Sequence, residues 1–236
     1  MNRSLKRFVK LRLPRLFELW RKMKERSRVG RSAKQTFTRK FHRHSGQDVE
    51  SLSGPGSDLA QTEVVRGVLP TLVKELNCGT LLDVPCGDFY WMRLVDMNVD
   101  YIGADVVDEL IHQNQRAYGN ARRKFVQLDL LCDPLPTADL VLCRDCLVHF
   151  SNQDIVRALA NIRRSGATWM LATTFVGREC NEDIPTGKWR AVNLQRAPFD
   201  LPAPIELFDE GHPSSDFSDK HLALWRVADL PEAPLS

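Results

Sequence analysis

Short apolar runs alternate with segments of helical spacing through most of this chain. The runs are rich in β-branched and aromatic residues and end in turn-forming residues, which is typical of strands buried in a sheet. Strands are therefore predicted at 80–84, 101–106, 124–130, 138–143 and 168–175. Apolar residues three and four apart predict helices at 58–76, 89–97, 107–118 and 152–164.

This alternation predicts an α/β fold, with a Rossmann-like, mostly parallel sheet and helices on both of its faces. Two further apolar runs, at 205–211 and 221–227, are separated only by a polar loop. Because that loop is too short for a helical crossover, the last two strands are predicted to pair antiparallel.

Charge divides the chain into two parts. The first 43 residues carry 16 Lys and Arg against 2 Asp and Glu, and the other 193 carry 17 against 28. The net charge of +3 therefore conceals a basic arm of +14 and an acidic body of −11. We divide the chain accordingly, by composition and pattern, into an arm (1–45), a leading loop and helix (46–79), a main domain (80–228) and a tail (229–236).

The arm leaves several interpretations open. Its apolar residues between positions 5 and 23 recur at helical spacing, with Lys and Arg on the other faces and Pro14 inside. Such a helix suits an anionic membrane surface, and it also suits docking on the acidic body. Nucleic-acid backbone contact and a mitochondrial transit peptide are further interpretations, which the sequence favours less. We expect a cytoplasmic protein, free or peripheral at a membrane.

Composition excludes two classes of protein. No apolar run reaches the roughly 18–20 residues of a membrane-spanning helix. The six cysteines are too few and too scattered for a disulfide scaffold. Residues 44–57, HSGQDVESLSGPGS, are rich in Ser and Gly, and we interpret them as a linker rather than as a loop across the mouth of a site.

Carboxylates follow three successive predicted strands. The first strand ends in LLDVPCGDF with Asp83, the second ends at Asp105 and the third at Asp129. Carboxyl ends of parallel strands meet at one edge of the sheet, where open α/β folds bind their ligands. A dinucleotide would need glycines in the pattern G-x-G-x-x-G to approach its pyrophosphate, and carboxylates at that loop would repel phosphate.

These carboxylates suit S-adenosylmethionine (SAM), which has an ammonium, a sulfonium and a ribose but no phosphate. Asp105 is then expected to hold the ribose hydroxyls, and Asp129 to accept from the adenine amine, with the Leu130 backbone beside the base. Asp83 and the Gly87 loop are expected to receive the methionine end. The complete set of predicted cofactor-binding residues is Asp83, Pro85, Cys86, Gly87, Asp105, Val106, Asp129, Leu130 and Arg144.

The segments LLDVPCGD, IGADV, QLDL and DLVLCRDCLVH resemble the successive motifs of class I SAM-dependent methyltransferases. The resemblance covers roughly residues 80–175 and continues plausibly to 227. Of the glycines usual in the first motif of that family, only Gly87 is present, and Pro85 and Phe89 stand at the positions of two others. The resemblance implies a seven-stranded sheet of order 3-2-1-4-5-7-6 with strand seven antiparallel, and a metal-independent methyltransferase.

Candidates for the reaction follow the fourth and fifth strands. His149, Asp145 and Asp183, in that order, are candidate general bases for a hydroxyl acceptor. The long polar segment 176–202 is expected to line the acceptor pocket through Lys188, Trp189, Arg190 and Asn193. Cys143, Cys146 and His149 have C-x2-C-x2-H spacing, but zinc needs a fourth ligand, so no metal site is predicted.

The preferred function is O-methylation of a small molecule or of a glycan hydroxyl. A non-catalytic scaffold protein with the same fold is the first alternative, motivated by the missing glycines. The second alternative is a nucleic-acid methyltransferase in which the arm clamps the nucleic-acid backbone. The sequence favours it less, because it has neither an N-P-P-Y motif nor a Pro-Cys loop after the fourth strand. Because the arm lies outside the motifs, we expect a protein lacking residues 1–43 to retain SAM binding.

Overall fold

The computed structural model describes residues 32–45, 48–211 and 215–232. The chain divides into a unit of Met1–Ser32 and a unit of Ala33–Ser236. The amphipathic helix predicted between residues 5 and 23 lies outside the described residues. Everything that follows concerns the second unit, which begins within the segment that we assigned to the basic arm.

Seven strands form one sheet in the order β3-β2-β1-β4-β5-β7-β6, which confirms the predicted order. Strand β7 runs antiparallel to its neighbours β5 and β6, and the other pairs are parallel. The strands are β1 (Thr80–Asp83), β2 (Asp100–Asp105), β3 (Arg123–Gln127), β4 (Leu140–Cys143), β5 (Trp169–Phe175), β6 (Glu206–Asp209) and β7 (Lys220–Arg226).

Four α-helices accompany the sheet among the described residues: α1 (Ala33–His44), α2 (Glu63–Glu75), α3 (Asp108–Tyr118) and α4 (Asn152–Arg164). The helix predicted at 152–164 is confirmed, with Ser151 as its N-cap accepting from the Asp154 N–H at 3.2 Å. The helix predicted at 107–118 begins at Asp108. The helix predicted at 58–76 begins only at Glu63.

The helix predicted at 89–97 is wrong, because only a 3₁₀ turn at Met92–Leu94 forms there. Phe89 has a left-handed backbone conformation (φ 57°), which interrupts any helix that would begin at this residue. Phe89, Met92 and Val95 nevertheless share the three-residue spacing that suggested a helix, and all three are buried in the core. The three-residue spacing of apolar residues here therefore marks the buried side of a turn and an extended segment, not a helix.

The core lies on both faces of the sheet. On β1, Leu82 packs into the cluster on one face, whereas Leu81 packs into the cluster on the other. On β4, Val141 and Leu142 divide in the same way. Central strands with two buried faces explain why these runs read as continuously apolar. Buried polar residues stand at the carboxyl ends of these strands, with Asp83 on β1, Asp105 on β2 and Arg144 just after β4.

Candidate active site

A cavity of about 790 Å³ lies at the carboxyl ends of the parallel strands. Asp83 at the end of β1, Asp105 at the end of β2 and Arg144 just after β4 all contribute to its wall. Its size is in the upper part of the roughly 300–1,000 Å³ that ligand pockets span. All nine predicted cofactor-binding residues line it: Asp83, Pro85, Cys86, Gly87, Asp105, Val106, Asp129, Leu130 and Arg144.

Asp83 is a buried carboxylate, only 2% exposed, at the end of β1. The Tyr101 hydroxyl on β2 donates to its Oδ2 at 2.6 Å. Burial raises the pKa of Asp83 to about 7, and the Tyr101 hydrogen bond only partly offsets this. A carboxylate in this environment lacks a full counter-charge, and a cationic ligand in the cavity would supply one.

Asp105 is held by the turn that follows β2. The Val107 N–H donates to its Oδ1 at 2.9 Å, and the side chain is 7% exposed. Burial raises the pKa of Asp105 to about 6 despite the backbone hydrogen bonds that it accepts. The carboxylate is therefore oriented by its own turn, with the position and chemistry to accept from two ribose hydroxyls.

The loop after β1 is anchored to β2 and α3. The Cys86 N–H donates to the Ala104 carbonyl at 2.8 Å, and the Asn114 side-chain amide donates to the Gly87 carbonyl at 2.8 Å. Gly87 is left-handed (φ 54°), and a Cβ there would lie 2.1 Å from the Ser53 Oγ. Glycine is favoured at this position because its backbone is left-handed and a Cβ would force the Ser53 side chain to move.

Asp129 and Leu130 form the third part of the predicted cofactor end. The Leu131 N–H donates to the Asp129 Oδ1 at 3.0 Å, and the Asp129 N–H donates to the Asp133 Oδ2 at 2.8 Å. The Asn161 amide on α4 holds the Leu130 carbonyl at 2.8 Å. Side chain and backbone are thus both fixed where they border the cavity.

Residues 51–57, here called the clasp loop, cross the cavity at the carboxyl end of β1. The Asp88 carboxylate holds this loop by accepting from the Ser51 hydroxyl at 3.0 Å and the Leu52 N–H at 2.7 Å. Leu52, Ser53 and the following residues through Ser57 line the cavity. The interpretation of this segment as a plain linker is therefore wrong, since Asp88 fastens it to the site.

Arg144, predicted to bind the cofactor, lines the cavity but is engaged within the protein. Its guanidinium donates to the carbonyls of Gly56 at 2.6 Å and Gln61 at 3.0 Å. Its Nε donates to the Glu210 Oε1 at 2.6 Å. Arg144 thereby ties the clasp loop and the segment after β6 to the end of β4.

Asp145 completes a ring of four charges with Arg144, Glu210 and Lys220. The Lys220 Nζ lies 2.8 Å from the Asp145 Oδ2 and 2.9 Å from the Glu210 Oε2, and the Arg144 Nη1 lies 3.3 Å from the Asp145 Oδ2. Burial by itself raises the pKa of Asp145, but the Arg144 and Lys220 charges lower it below its usual value. Asp145 is also left-handed (φ 50°), so the ring holds a strained residue at the cavity wall.

His149, the first candidate base, lines the cavity on a 3₁₀ turn after β4. Its Nδ1 lies 2.7 Å from the Lys188 carbonyl oxygen. A carbonyl can only accept, so Nδ1 carries the proton and Nε2 keeps its lone pair. Burial, and then the Lys40 charge, lower the pKa of His149 to about 4, so the ring is neutral near pH 7.

Three aromatic rings form the far wall of the cavity. The Trp189 ring meets Phe217 edge-on at 5.0 Å and Phe175 at 6.0 Å between centroids. All three residues line the cavity, and Trp189 remains 44% exposed. This aromatic wall, defined by Phe175, Trp189 and Phe217, is suited to the face of a ring-bearing ligand.

Other predicted acceptor residues have structural contacts instead. Asp183 accepts from the Asn152 N–H at 2.7 Å, at the start of α4. Arg190 donates to the Phe150 carbonyl at 2.9 Å, and Asn193 donates to the Arg178 carbonyl at 2.8 Å. The described residues that line the cavity do not include four of the predicted residues, namely Asp183, Lys188, Arg190 and Asn193. The structure therefore brings Trp189, Asp145 and His149 together, but not these four.

Sequence reasoning missed the contributions of α1. Ala33, Phe37, Lys40, Phe41 and Arg43 line the cavity, although α1 belongs to the segment assigned to the arm. One signal was present, since AKQTFTRKFHRH has Phe37 and Phe41 four residues apart on one helical face. That spacing indicates an apolar helix face, but it does not indicate which part of the protein the face packs against.

Two findings concern metals and membranes. In residues 32–45, 48–211 and 215–232, no cluster of three or more His, Cys, Asp or Glu side chains could hold a metal ion. Within the same residues, no helix combines the length and the apolar character that crossing a bilayer requires.

The cavity residues fit SAM. Two buried carboxylates with raised pKa values, Asp83 and Asp105, provide the negative charge that an ammonium and a sulfonium need. Asp105 is placed for ribose, and Gly87 provides the close backbone approach that the methionine end requires. The lining thus matches the charge and the shape of this cofactor better than those of a phosphate-bearing one.

Comparisons with known proteins concern the domain and the fold. Residues 81–166 match the family model described as a methyltransferase domain. None of the curated proteins matches the chain in sequence. Among solved structures, human N-acetylserotonin methyltransferase in complex with SAM is similar over 92% of this chain and 68% of its own, with 14% identity and a TM-score of 0.54.

Two further structures are similar. The methyltransferase domain of a bacterial CtHen1 protein matches over 70% of this chain and 99% of its own, with 11% identity and a TM-score of 0.53. Magnesium protoporphyrin IX methyltransferase from Synechocystis PCC 6803, solved with bound SAH, matches over 57% of this chain at 18% identity, with a TM-score of 0.44. This chain spans 65% of that enzyme's length. At such identities the likeness concerns the fold.

Proposed function

We propose that this chain is a SAM-dependent methyltransferase that methylates a hydroxyl oxygen of a small molecule or glycan, a proposal that the match of residues 81–166 to a methyltransferase-domain family supports. When bound, SAM supplies an electrophilic methyl group. The residues of the chain bind the cofactor, orient the acceptor and receive the proton that the hydroxyl loses. The observation that carries the acceptor assignment is the neutral His149 ring between the cofactor end and the aromatic wall.

The cofactor end of the cavity works through fixed carboxylates. Asp105, which the Val107 N–H orients, would accept from the ribose hydroxyls. Asp83 would hold the methionine end and would gain a cationic partner in place of the proton that burial favours. Because these groups are held by β1, β2 and their turns, binding costs little reorganisation.

His149 provides an acceptor for the hydroxyl proton. Its Nδ1–H is committed to the Lys188 carbonyl, so Nε2 can accept a hydrogen bond from the incoming hydroxyl and orient an oxygen lone pair toward the methyl carbon. The hydroxyl proton becomes strongly acidic as the oxygen forms its new bond. An imidazole with a pKa of about 4 is therefore basic enough to take it, although it would not ionise a free alcohol.

Asp145 supports the acceptor in another way. Its Oδ2 is occupied by the Lys220 ammonium and lies near the Arg144 guanidinium. With its pKa lowered, Asp145 stays ionised and is a weak base. Its proposed role is electrostatic, since a fixed carboxylate near His149 stabilises positive charge that develops on the imidazole.

The aromatic wall favours an acceptor with a ring. The Trp189 and Phe217 rings meet edge to face with their centroids 5.0 Å apart. The apolar surface that they form suits an aromatic ring or the apolar face of a sugar. We place the ring of the acceptor on Trp189 and its hydroxyl at the His149 Nε2.

Untargeted metabolite profiling tests this proposal. The full-length protein is incubated with SAM carrying an isotopically labelled methyl group and with a small-molecule and glycan extract, and labelled products are identified by mass spectrometry. The proposal expects a labelled O-methyl product, reduced by about 10²–10⁴-fold in a His149→Ala variant, the usual contribution of general acid–base catalysis. SAM binding without any labelled product would favour a non-catalytic binding protein, and labelled amines would refute the hydroxyl assignment.

A further inference from the structure

Helix α1 lies against both ends of the cavity. It is the last part of the segment that the sequence assigned to a basic arm, and it lines the cavity through Phe37, Lys40 and Phe41. Because α1 has no acidic residue, its charge differs from that of the acidic body it contacts. Phe37 and Phe41 lie four positions apart, about one turn of helix. Both belong to the cluster at the cofactor end, and Phe37 also reaches His149.

Phe41 packs at the cofactor end. It forms a small buried cluster with Val107 and Leu110, against which Val106 and Leu52 also pack. Val107 is the residue whose N–H holds the Asp105 carboxylate at 2.9 Å. Phe41 therefore joins α1 and the clasp loop to the turn that orients the ribose-binding carboxylate.

Phe37 packs at the acceptor end. Its ring meets His149 at 6.3 Å between centroids with a 72° interplanar angle, and it meets Phe150 at 5.9 Å. Beside it, Thr36 approaches Gly187 so closely that a Cβ on Gly187 would lie 2.2 Å from the Thr36 Cγ2. The Gly187 N–H in turn donates to the His149 carbonyl at 2.8 Å. Helix α1 thus contacts the ring of the candidate base through Phe37, and through Thr36 it packs on Gly187, which bonds the His149 carbonyl.

We propose that α1 is a working part of the active site, with Phe41 as a positioning residue for Asp105 and Phe37 as a positioning residue for His149. The proposal rests on the proposed function, because it concerns how the same site binds SAM and orients the acceptor. It replaces the expectation that a protein lacking residues 1–43 retains SAM binding. Removing those residues would delete Phe37 and Phe41 and open both ends of the cavity.

The environment of His149 provides a readout that needs no ligand. Burial and the Lys40 charge lower its pKa, whereas the Lys188 carbonyl and the Asp145 carboxylate raise it. Phe37 contributes to this burial through its edge contact with the His149 ring, and Lys40 supplies the charge; both residues belong to α1. Undocking α1 removes these two contributions and leaves the Lys188 carbonyl and Asp145, so the pKa of His149 is expected to rise from about 4.

The test compares Phe41→Ala with Arg39→Ala, which changes an exposed residue on the same helix. In the ligand-free full-length protein, the imidazole shifts of His149 are followed by NMR against pH, and SAM affinity is measured by calorimetry. Phe41→Ala is expected to raise the pKa of His149 by at least about one unit and to weaken SAM binding at least about tenfold, about 1.4 kcal/mol. Arg39→Ala is expected to leave both unchanged.

Thr36→Trp serves where Phe41→Ala does not fold. The larger side chain cannot fit against Gly187, so it lifts α1 without removing a core residue. Wild-type values of both quantities in folded Phe41→Ala or Thr36→Trp protein would overturn the proposal while leaving the methyltransferase assignment intact. If the wild-type protein does not bind SAM, the proposed role of Phe41 in cofactor binding is overturned. The His149 titration then still tests the proposed role of α1 in positioning His149.

Discussion

The buried Asp83 carboxylate lowers the stability of the ligand-free protein when it is ionised, whereas the ionised form is the one expected to bind the cofactor. Its carboxylate is 2% exposed, and burial raises its pKa to about 7 from an ordinary 3.8. Between these pH values the folded protein holds a proton that the unfolded chain has released, so this contribution to the free energy of unfolding is lost as pH rises from about 4 to 7. At 1.36 kcal/mol for each pKa unit, the ligand-free protein loses up to about 4 kcal/mol.

The substitution Asp83→Asn removes this cost. In the wild-type protein the Tyr101 hydroxyl lies 2.6 Å from the Asp83 Oδ2. Asparagine keeps an oxygen that can accept this hydrogen bond, but its side chain cannot ionise. At pH 8 the variant is expected to be more stable than wild type by up to about 4 kcal/mol, or roughly 10 °C in Tm for a chain of this size. At pH 4.5 the advantage narrows to about 1 kcal/mol, because the native carboxyl is then protonated.

Thermal unfolding of both proteins between pH 4.5 and pH 8 measures this difference, and Asp100→Asn is the matched control. Asp100 is 63% exposed in its ion pair with Arg122, so its loss is expected to change stability by less than about 1 kcal/mol. SAM affinity of Asp83→Asn is expected to fall at least about tenfold, since a charged hydrogen-bond partner is lost. An Asp83→Asn protein less stable than wild type at pH 8, or a stability difference independent of pH, would refute the reasoning.

Four further predictions follow. SAM affinity rises between about pH 6 and pH 8 as Asp83 and Asp105 ionise, and calorimetry in buffers of different ionisation enthalpy detects the released protons; a pH-independent affinity would contradict this. Asp105→Asn weakens SAM binding at least about tenfold without unfolding the protein, as paired calorimetry and circular dichroism would show. Asp183→Ala costs about 0.5–2 kcal/mol of stability through the start of α4 but leaves SAM affinity unchanged, so loss of binding would count against its structural role. Trp189→Ala raises the KM for the acceptor without changing SAM affinity, which steady-state kinetics on the labelled product can test.

The sheet was predictable because it depends on local patterns. Buried parallel strands read as short apolar runs, and each of Asp83 and Asp105 directly follows one, so a rule about strand ends was enough to bring them together. The spacing of the two carboxylates needed no knowledge of side-chain contacts. The antiparallel pair β6 and β7 was predictable from another local feature, the polar loop that is too short for a helical crossover.

The rest of the site depends on contacts between distant parts of the chain. Asp88 holds Ser51 from 37 positions away, and Lys220 meets Asp145 across 75 positions. Composition made residues 44–57 look like a linker, because Ser and Gly serve equally in linkers and in loops that approach a ligand. Periodicity failed at 89–97 for a related reason, since three-residue spacing occurs in a buried turn as well as in a helix.

The segment 176–202 shows the limit of assigning roles by residue type. Its Asp183, Arg190 and Asn193 looked like pocket residues because they are polar and follow β5. In the structure each of them bonds to backbone groups: Asp183 to the Asn152 N–H at the start of α4, Arg190 to the Phe150 carbonyl just before α4, and Asn193 to the Arg178 carbonyl of the same segment. A long ordered loop needs such internal partners, and a sequence does not show which polar side chains face inward.

Calorimetric titration of the full-length protein with SAM at pH 8 tests the central claim most directly. The account predicts one molecule of SAM bound to each chain, with affinity lost in a combined Asp83→Asn and Asp105→Asn variant that remains folded. A wild-type protein that binds neither SAM nor S-adenosylhomocysteine would contradict the account.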